Sequence, residues 1–84
     1  MKNTFYVYVL KSAKSNKKLV GFTNDLDRRV KEHQNGEVES SKDLLPLDLI
    51  HMEIHTNEED ARKRQAFLNS KTGQDYLKNY HNAG

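Results

Sequence analysis

Alternating hydrophobic and polar positions predict two strands near the start of the chain. Phe5–Leu10 reads FYVYVL, a β-branched and aromatic run of the kind enriched in strands. The polar segment KSAKSNKK follows, and Lys18–Thr23 has the composition of a second strand. We therefore predict an antiparallel hairpin in which Tyr6, Tyr8 and Leu10 share one face of the first strand, since alternate side chains point the same way.

Capping residues delimit a first helix after this hairpin. Asn24 is predicted to cap its N-terminus, with Asp27 three residues later as a shorter equivalent of the glutamate in a capping box. The helix is predicted to run to about Gln34 and to stop at Asn35-Gly36, a common C-terminal signal.

Two polar residues lie at the edge of the apolar stripe of this helix. At 100° per residue, Leu26 and Val30 mark the buried stripe, and Arg29 and His33 stand together beside it. An arginine at the rim of a core can hold a phosphate by bidentate hydrogen bonds. The alternative is that its stem only covers core surface. The helix alone does not decide between them.

The second half of the chain predicts one more strand and two helices. The loop EVESSKDLLP ends at Pro46, and a strand follows at Leu49–His55. Asn57 is predicted to cap a helix that reaches about Asn69, and the segment SKTGQ is predicted to separate it from a short helix at about Asp75–His81. The order β-β-α-β-α-α predicts a small three-stranded antiparallel sheet flanked by helices, in the α+β class.

The third strand has two unlike faces. Its alternate residues form an apolar set and a polar set: Ile50, Met52 and Ile54, and His51, Glu53 and His55. The polar set has the pattern H-x-E-x-H on one side of a strand, which could ligate a metal. We favour the other interpretation, that this is the solvent-facing surface of the strand.

A polar residue interrupts the inward stripe of the second helix. Ala61 and Leu68 define that stripe, and Gln65 lies between them on the same face. A buried polar group costs about 1–3 kcal/mol unless it is paired. Gln65 is therefore predicted to have a hydrogen-bonding partner or to face a cleft.

Composition bears on the number of domains, the expected compartment and the charge of the surface. The 84 residues, 35% of them hydrophobic, are predicted to form a single domain over residues 1–84. The chain has no cysteine and no signal-peptide or membrane-spanning pattern, so we expect a cytoplasmic protein without membrane contact. Residues 1–36 carry eight Lys/Arg against three Asp/Glu (+5), whereas residues 37–84 carry six against nine (−3). This asymmetry allows a basic face that could meet phosphates.

Taken in order, these segments resemble a GIY-YIG domain of the short stand-alone group, over nearly the whole chain from Phe5 to Tyr80. YVYVL is similar to the first motif, with Tyr8 at its tyrosine, and LVG, which ends at Gly21, lies where the second motif is expected. FTNDLDRRVKEH resembles the segment that follows, where Arg29 matches the essential arginine and His33 a histidine found one turn later. EEDARKRQAFL resembles the helix that carries the metal-binding glutamate, and KTGQDYLKN the C-terminal segment.

The resemblance implies phosphodiester cleavage at a site with one divalent metal. In that family a glutamate holds Mg²⁺, the arginine stabilises charge on the phosphate, and tyrosines or a histidine help to deliver the nucleophile. This chain departs from the pattern at three places. Leu19 replaces the tyrosine of the second motif, Gln65 occupies the position of the metal glutamate, and Leu44-Leu45 stands where arginines are expected. An amide lacks the charge that makes a carboxylate a good Mg²⁺ ligand.

Three hypotheses of function follow. The first is a catalytically impaired domain that keeps Tyr8, Arg29 and His33 as its catalytic-motif residues and binds nucleic acid, with DNA favoured, through phosphate contacts. The cationic side chains proposed for this binding are Lys14, Lys17, Lys18, Arg28, Lys31 and Lys42.

The second hypothesis is an active endonuclease that requires Mg²⁺ or Mn²⁺, with a replacement carboxylate from Glu53, Glu58 or Glu59. The third is a protein-interaction module, in which Leu44 and Leu45 form an exposed apolar patch that supports weak self-association.

Overall fold

Three strands and three helices follow one another in the predicted order. The strands are β1 (Phe5–Ser12), β2 (Lys18–Thr23) and β3 (Leu47–His55), and the helices are α1 (Leu26–Gln34), α2 (Glu58–Asn69) and α3 (Lys71–Asn82), with a short 3₁₀ turn at Lys42–Leu44. The structure is a computed structural model that describes residues 4–82. It confirms the α+β class and the order β-β-α-β-α-α. In this described part, no helix has the length and apolar character needed to cross a membrane.

β1 is the central strand of an antiparallel sheet with the order β2-β1-β3. Its alternating residues separate the core into two clusters, because helices pack on both faces of the sheet. Val7 and Val9 contact Ala61 of α2 and Leu77 of α3 in one buried cluster, the first core cluster. On the other face, the second core cluster comprises Tyr8, Leu10 and Leu47, with Leu26 and Val30 of α1 packed against it. The predicted partition of the β1 faces is confirmed.

The first helix begins one residue later than predicted. Its N-cap is Asp25, whose carboxylate accepts a hydrogen bond of 3.2 Å from the backbone N–H of Arg28. The prediction of Asn24 as N-cap is wrong, because two adjacent residues could each cap the helix and only the backbone conformation selects one of them. The predicted end at Gln34 is confirmed, and Gly36 adopts the left-handed φ of 76° beyond it.

The last helix is longer than predicted. α3 begins at Lys71 and is separated from the end of α2 only by Ser70, so the predicted break at SKTGQ is in fact the junction and first turn of this helix. The Ser70 hydroxyl accepts a hydrogen bond of 3.1 Å from the N–H of Gly73. A Cβ on Gly73 would overlap the Phe67 carbonyl group, so glycine permits the two helices to approach here.

The polar face of β3, formed by His51, Glu53 and His55, is directed toward α2 and α3. Glu53 lies opposite Val7 in the sheet and therefore shares its face with the first core cluster. Met52 and Ile54 are instead 43% and 60% exposed. The interpretation of the polar face of β3 as a solvent-facing surface is wrong, because Arg64 of α2 covers this face and pairs with the Glu53 carboxylate.

Glu53 is the centre of a hydrogen-bonded cluster on this face. Both of its oxygens accept from Arg64, at 2.7 and 2.9 Å, and the imidazole Nε2 atoms of His51 and His55 lie 2.9 and 3.4 Å from them. The hydrogen bond to Arg64 is the main reason why the pKa of Glu53 is lowered to about 2. Arg64 also lies over the Tyr76 ring, 5.1 Å from its centroid. Within residues 4–82, no group of three His, Asp or Glu side chains is placed to hold a metal ion.

A register shift separates Ile50 from the other apolar residues of β3. Val9 lies opposite His51 and Leu10 opposite Leu49, which leaves Ile50 without a partner across the sheet. Ile50 packs against the first core cluster, on the face that Met52 does not share. The prediction that Ile50 shares a face with Met52 and Ile54 is therefore wrong, because the extra residue of the bulge moves its side chain to the other face.

Leu44 and Leu45 are part of the core. Both are half-buried and pack against the cluster of Tyr8, Leu10 and Leu47. The Leu44 carbonyl also accepts a hydrogen bond of 2.7 Å from the Ser12 hydroxyl. The prediction that the two leucines are exposed is wrong, because the loop folds back over the α1 face of the sheet.

Candidate functional site

A cleft of about 270 Å³ lies at the edge strand β2 and contains all six family-motif positions. They are Tyr8, Leu19, Gly21, Arg29, His33 and Gln65. β1, β2, α1 and α2 each contribute at least one of these residues, so the sheet register and the packing of the helices create the cleft. The six positions span 58 places in the sequence, from 8 to 65, and the fold brings them together.

Tyr8, His33 and Ser41 form a buried chain of hydrogen bonds beneath the cleft. The Tyr8 hydroxyl lies 3.1 Å from His33 Nε2, and His33 Nδ1 lies 2.8 Å from the Ser41 hydroxyl. All three side chains are buried, at 3%, 5% and 0% exposure. Because buried polar groups need partners, each member of the chain fixes the orientation of its neighbour.

One arrangement of protons satisfies every contact in this chain. The Ser41 hydroxyl donates to the Val38 carbonyl at 3.5 Å, which leaves its oxygen to accept from Nδ1–H of a neutral His33. Nε2 then accepts from the Tyr8 hydroxyl. Burial, and next the charge of Arg29, lower the pKa of His33, which favours this neutral form. We assign these hydrogen bonds in this direction, with Tyr8 as the donor to His33.

Gly21 leaves the space that the Tyr8 ring occupies. The two residues are paired across β1 and β2, and a Cβ on Gly21 would overlap the Tyr8 hydroxyl and ring. No positive φ is involved, so the requirement for glycine here comes from this close approach. The glycine of the second motif therefore positions the tyrosine of the first.

Arg29 reaches the cleft from the first turn of α1 and is held by a carboxylate. Its Nη1 donates to Glu32 Oε1 at 3.0 Å, and its side chain is 41% exposed. The hydrogen bond to Glu32, and next the hydroxyl of Tyr8, raise the pKa of Arg29. Arg29 therefore carries a permanent positive charge at the opening of the cleft, beside the Tyr8 hydroxyl.

Gln65 closes the cleft from α2. Its Nε2 donates to the backbone carbonyl of Val20 at 3.2 Å. A carbonyl can only accept a hydrogen bond, so this contact fixes which end of the amide is the nitrogen. The sequence prediction that Gln65 either has a partner or faces a cleft is confirmed in both parts.

The cleft does not fit the divalent metal that the family pattern implies. Among the described residues that line it, none is Asp or Glu, and Gln65 offers only an uncharged amide oxygen, since its nitrogen donates to Val20. Mg²⁺ is usually bound through one or two carboxylates, and the charged group present here is the cation Arg29. The donor set suits an anion better than a cation.

The three carboxylates considered as replacements have partners elsewhere. Glu58 accepts from Arg62 at 2.8 Å, Glu59 lies 3.6 Å from Lys63, and Glu53 is bound by Arg64 on the α2–α3 face. None of the three lines the cleft. They give no support to the hypothesis of a replacement metal ligand.

The cationic residues proposed for nucleic-acid binding fall into two groups. Arg28 and Lys42 lie close to carboxylates, at 3.8 Å from Glu32 and 3.1 Å from Glu39. The structure records no ion pair within residues 4–82 for the other four: Lys14, Lys17, Lys18 and Lys31. Lys14, Lys17 and Lys18 lie in or next to the β1–β2 turn, and Lys31 lies on the exposed side of α1.

Sequence reasoning missed two residues of this site. Glu32 lies three positions after Arg29 on the same helix, and this spacing alone could have indicated the ion pair. Ser41 lies in the loop after α1, and no sequence pattern connects it to His33, because their contact depends on how the loop folds.

Comparisons with known proteins agree with this geometry. Residues 4–81 match the family model of the GIY-YIG catalytic domain. A UPF0213 protein of Clostridium perfringens is 32% identical over 68 residues, which cover 80% of this chain and 72% of that protein. UPF0213 protein YazA of Bacillus subtilis is 32% identical over 71 residues, covering 83% and 71%. A UPF0213 protein of Haloquadratum walsbyi is 30% identical over 73 residues, covering 86% and 81%. No solved structure gives a significant match.

Proposed function

Because the chain belongs to the GIY-YIG nuclease superfamily, we propose that its cleft binds a nucleic-acid phosphate without cleaving it. The observation that carries this proposal is the side chain at the expected metal position. Gln65 faces the cleft as an amide and donates to the Val20 carbonyl. The cation that would contact a phosphate is retained, but the carboxylate that would hold the metal is replaced.

Arg29 is the proposed phosphate contact. A guanidinium offers two parallel N–H donors to phosphate oxygens. The Tyr8 hydroxyl donates its proton to His33, so it can accept from Arg29 and help to orient the guanidinium. The nearby cations Lys14, Lys18 and Lys31 would add contacts to flanking phosphates. Because the known motifs here include no base-reading element, we propose that binding depends on phosphates and shape, with DNA as the favoured ligand in the cytoplasm.

Loss of cleavage follows from the chemistry of the two replaced positions. Hydrolysis of a phosphodiester needs positive charge where negative charge develops and an activated water. Leu19 has no group that can hydrogen-bond to or exchange a proton with that water, and Gln65 does not supply the negative charge that retains a divalent cation. Mg²⁺ or Mn²⁺ is therefore a cofactor only under the alternative of an active endonuclease.

Binding is tested by the fluorescence anisotropy of labelled duplex, single-stranded and branched DNA over a range of salt concentrations. We expect Arg29→Ala to weaken binding by about tenfold or more, the effect of removing hydrogen bonds to a charged group. Lys63→Ala removes the same charge from an exposed position on α2 and is the matched control. Equal affinities of Arg29→Ala and Lys63→Ala, or an affinity that does not respond to salt, would refute the phosphate site.

Cleavage is tested by a time course on the same substrates with Mg²⁺ or Mn²⁺. We expect no product from the native chain. Product that disappears in Arg29→Ala would establish the alternative, an active metal-dependent endonuclease, since a contaminating nuclease would persist in that variant. The double variant Leu19→Tyr with Gln65→Glu then shows whether the two replaced positions account for the loss of activity.

A further inference from the structure

We infer that the Glu32 carboxylate competes with ligand phosphate for Arg29 and thereby lowers the affinity of the cleft for phosphate. This inference rests on the proposed function, because it concerns the same cleft. Glu32 Oε1 accepts from Arg29 Nη1 at 3.0 Å. A carboxylate and a phosphate bind a guanidinium through the same pair of N–H donors, so both cannot use the full face of Arg29 at once.

Glu32 is placed so that it can leave Arg29 without being trapped in the core. It does not line the cleft, and its side chain is 32% exposed. When a phosphate displaces it, the carboxylate can turn to water. The displaced state thus has no buried, unpaired charge, which would otherwise make the exchange unfavourable.

The same carboxylate lies near a second arginine. Its other oxygen, Oε2, lies 3.8 Å from Nε of Arg28, which is beyond hydrogen-bond distance, and the Arg28 side chain is 70% exposed. Arg28 is therefore available to a ligand whether or not Glu32 is displaced, and the competition concerns Arg29.

The opposite role for Glu32 is to hold Arg29 in position for its ligand. The two roles predict effects of opposite sign when the carboxylate is removed. If Glu32 competes with the ligand, its removal increases the affinity for DNA. If Glu32 supports Arg29, its removal decreases that affinity. Since the pair is partly exposed, the expected gain is about two- to fivefold.

The experiment compares the DNA affinity of Glu32→Gln with that of Glu37→Gln, in the native background and with Arg29→Ala. Glu37 is an exposed carboxylate just beyond α1 that contacts Asn35, so its substitution removes the same charge without touching Arg29. We expect Glu32→Gln to bind labelled duplex DNA about two- to fivefold more tightly than Glu37→Gln. In the Arg29→Ala background the two glutamine substitutions should have equal affinities.

Inorganic phosphate, added as a competitor to the DNA complex, tests whether Glu32 also competes with a single phosphate. It should displace DNA at a lower concentration from Glu32→Gln than from Glu37→Gln, once the affinity for DNA has been taken into account. Thermal unfolding of each variant verifies the fold, and Glu32→Ala replaces Glu32→Gln if that variant is not folded.

The outcomes separate the inference from the proposed function. Binding that does not depend on Arg29 refutes the proposed phosphate site and the inference with it. Arg29-dependent binding in which Glu32→Gln is equal to or weaker than Glu37→Gln leaves the phosphate site intact and overturns only the competition. An unchanged response to inorganic phosphate, once the affinity for DNA has been taken into account, overturns the competition at a single phosphate.

Discussion

Substitution of Gln65 by glutamate should not restore a metal site without a cost in stability. The Gln65 amide donates to the Val20 carbonyl at 3.2 Å from a half-buried position. An ionised carboxylate has no proton to donate and would face that carbonyl oxygen instead. Loss of the bond and the unpaired carbonyl should together lower the free energy of unfolding by about 1–3 kcal/mol.

Gln74→Glu is the matched control for this effect. Gln74 also donates its amide to a backbone carbonyl, that of Leu68 at 2.8 Å, but it lies on α3 and does not line the cleft. Both variants should be destabilised, and for a domain of this size each 1 kcal/mol lowers Tm by about 4–8 °C. If a metal enters the cleft, Mn²⁺ should raise the Tm of Gln65→Glu and leave that of Gln74→Glu unchanged.

The pH dependence of Gln65→Glu gives an independent check. A protonated carboxyl can donate to the Val20 carbonyl again, so folding should favour protonation and raise the pKa of the new group above its unfolded value of about 4.3. The penalty relative to the native chain should therefore be smallest below about pH 4 and grow as pH rises. Gln65→Glu as stable as the native chain at pH 7 would refute the structural role given to this amide.

Three further predictions concern residues around the cleft and the opposite face of the sheet. Gly21→Ala should force the Tyr8 ring to move and cost about 1–3 kcal/mol, and a native denaturation midpoint would contradict the close approach. Ser41→Ala should leave Nδ1 of the buried His33 without a partner, with a loss of about 1–3 kcal/mol in chemical denaturation that Ser41→Thr partly recovers; an unchanged midpoint would show that this bond contributes nothing. Because its folded pKa is lowered from 4.5 to about 2, Glu53 should contribute stability that is present above pH 4.5 and is lost as pH falls toward 2. The contribution is on the order of 3 kcal/mol, and Glu53→Gln should flatten the pH dependence of unfolding in this range; a profile parallel to that of the native chain would argue against it.

The fold was predictable where local patterns and burial agree. β1 alternates two apolar sets, and both sets are buried, so its two faces could be assigned from the sequence. β3 also alternates, but its polar set is covered and two members of its apolar set are exposed. Alternation shows that a strand has two faces, whereas the side chain that covers each face, here Arg64, comes from elsewhere in the chain.

The candidate site was predictable as a set of residues but not as a set of contacts. The motif positions Tyr8, Arg29 and Gln65 could be identified from the sequence, and the fold places all three in one cleft. Their partners depend on register and on loop conformation. The overlap that requires Gly21 follows from its pairing with Tyr8, and the contact of Ser41 follows from the path of the loop after α1.

Tyr8 belongs both to the core and to the cleft, which has an evolutionary consequence. Its ring is 3% exposed within the second core cluster, Gly21 is required to accommodate it, and its hydroxyl satisfies the buried His33. Selection for a folded chain alone would therefore maintain these three residues in a lineage that has no need for cleavage. Arg29 lies largely outside the core, so selection for a folded chain alone would not maintain it. In relatives of this chain, the identity of the residue at the Arg29 position should distinguish functional lineages more reliably than survival of the tyrosine and glycine motifs.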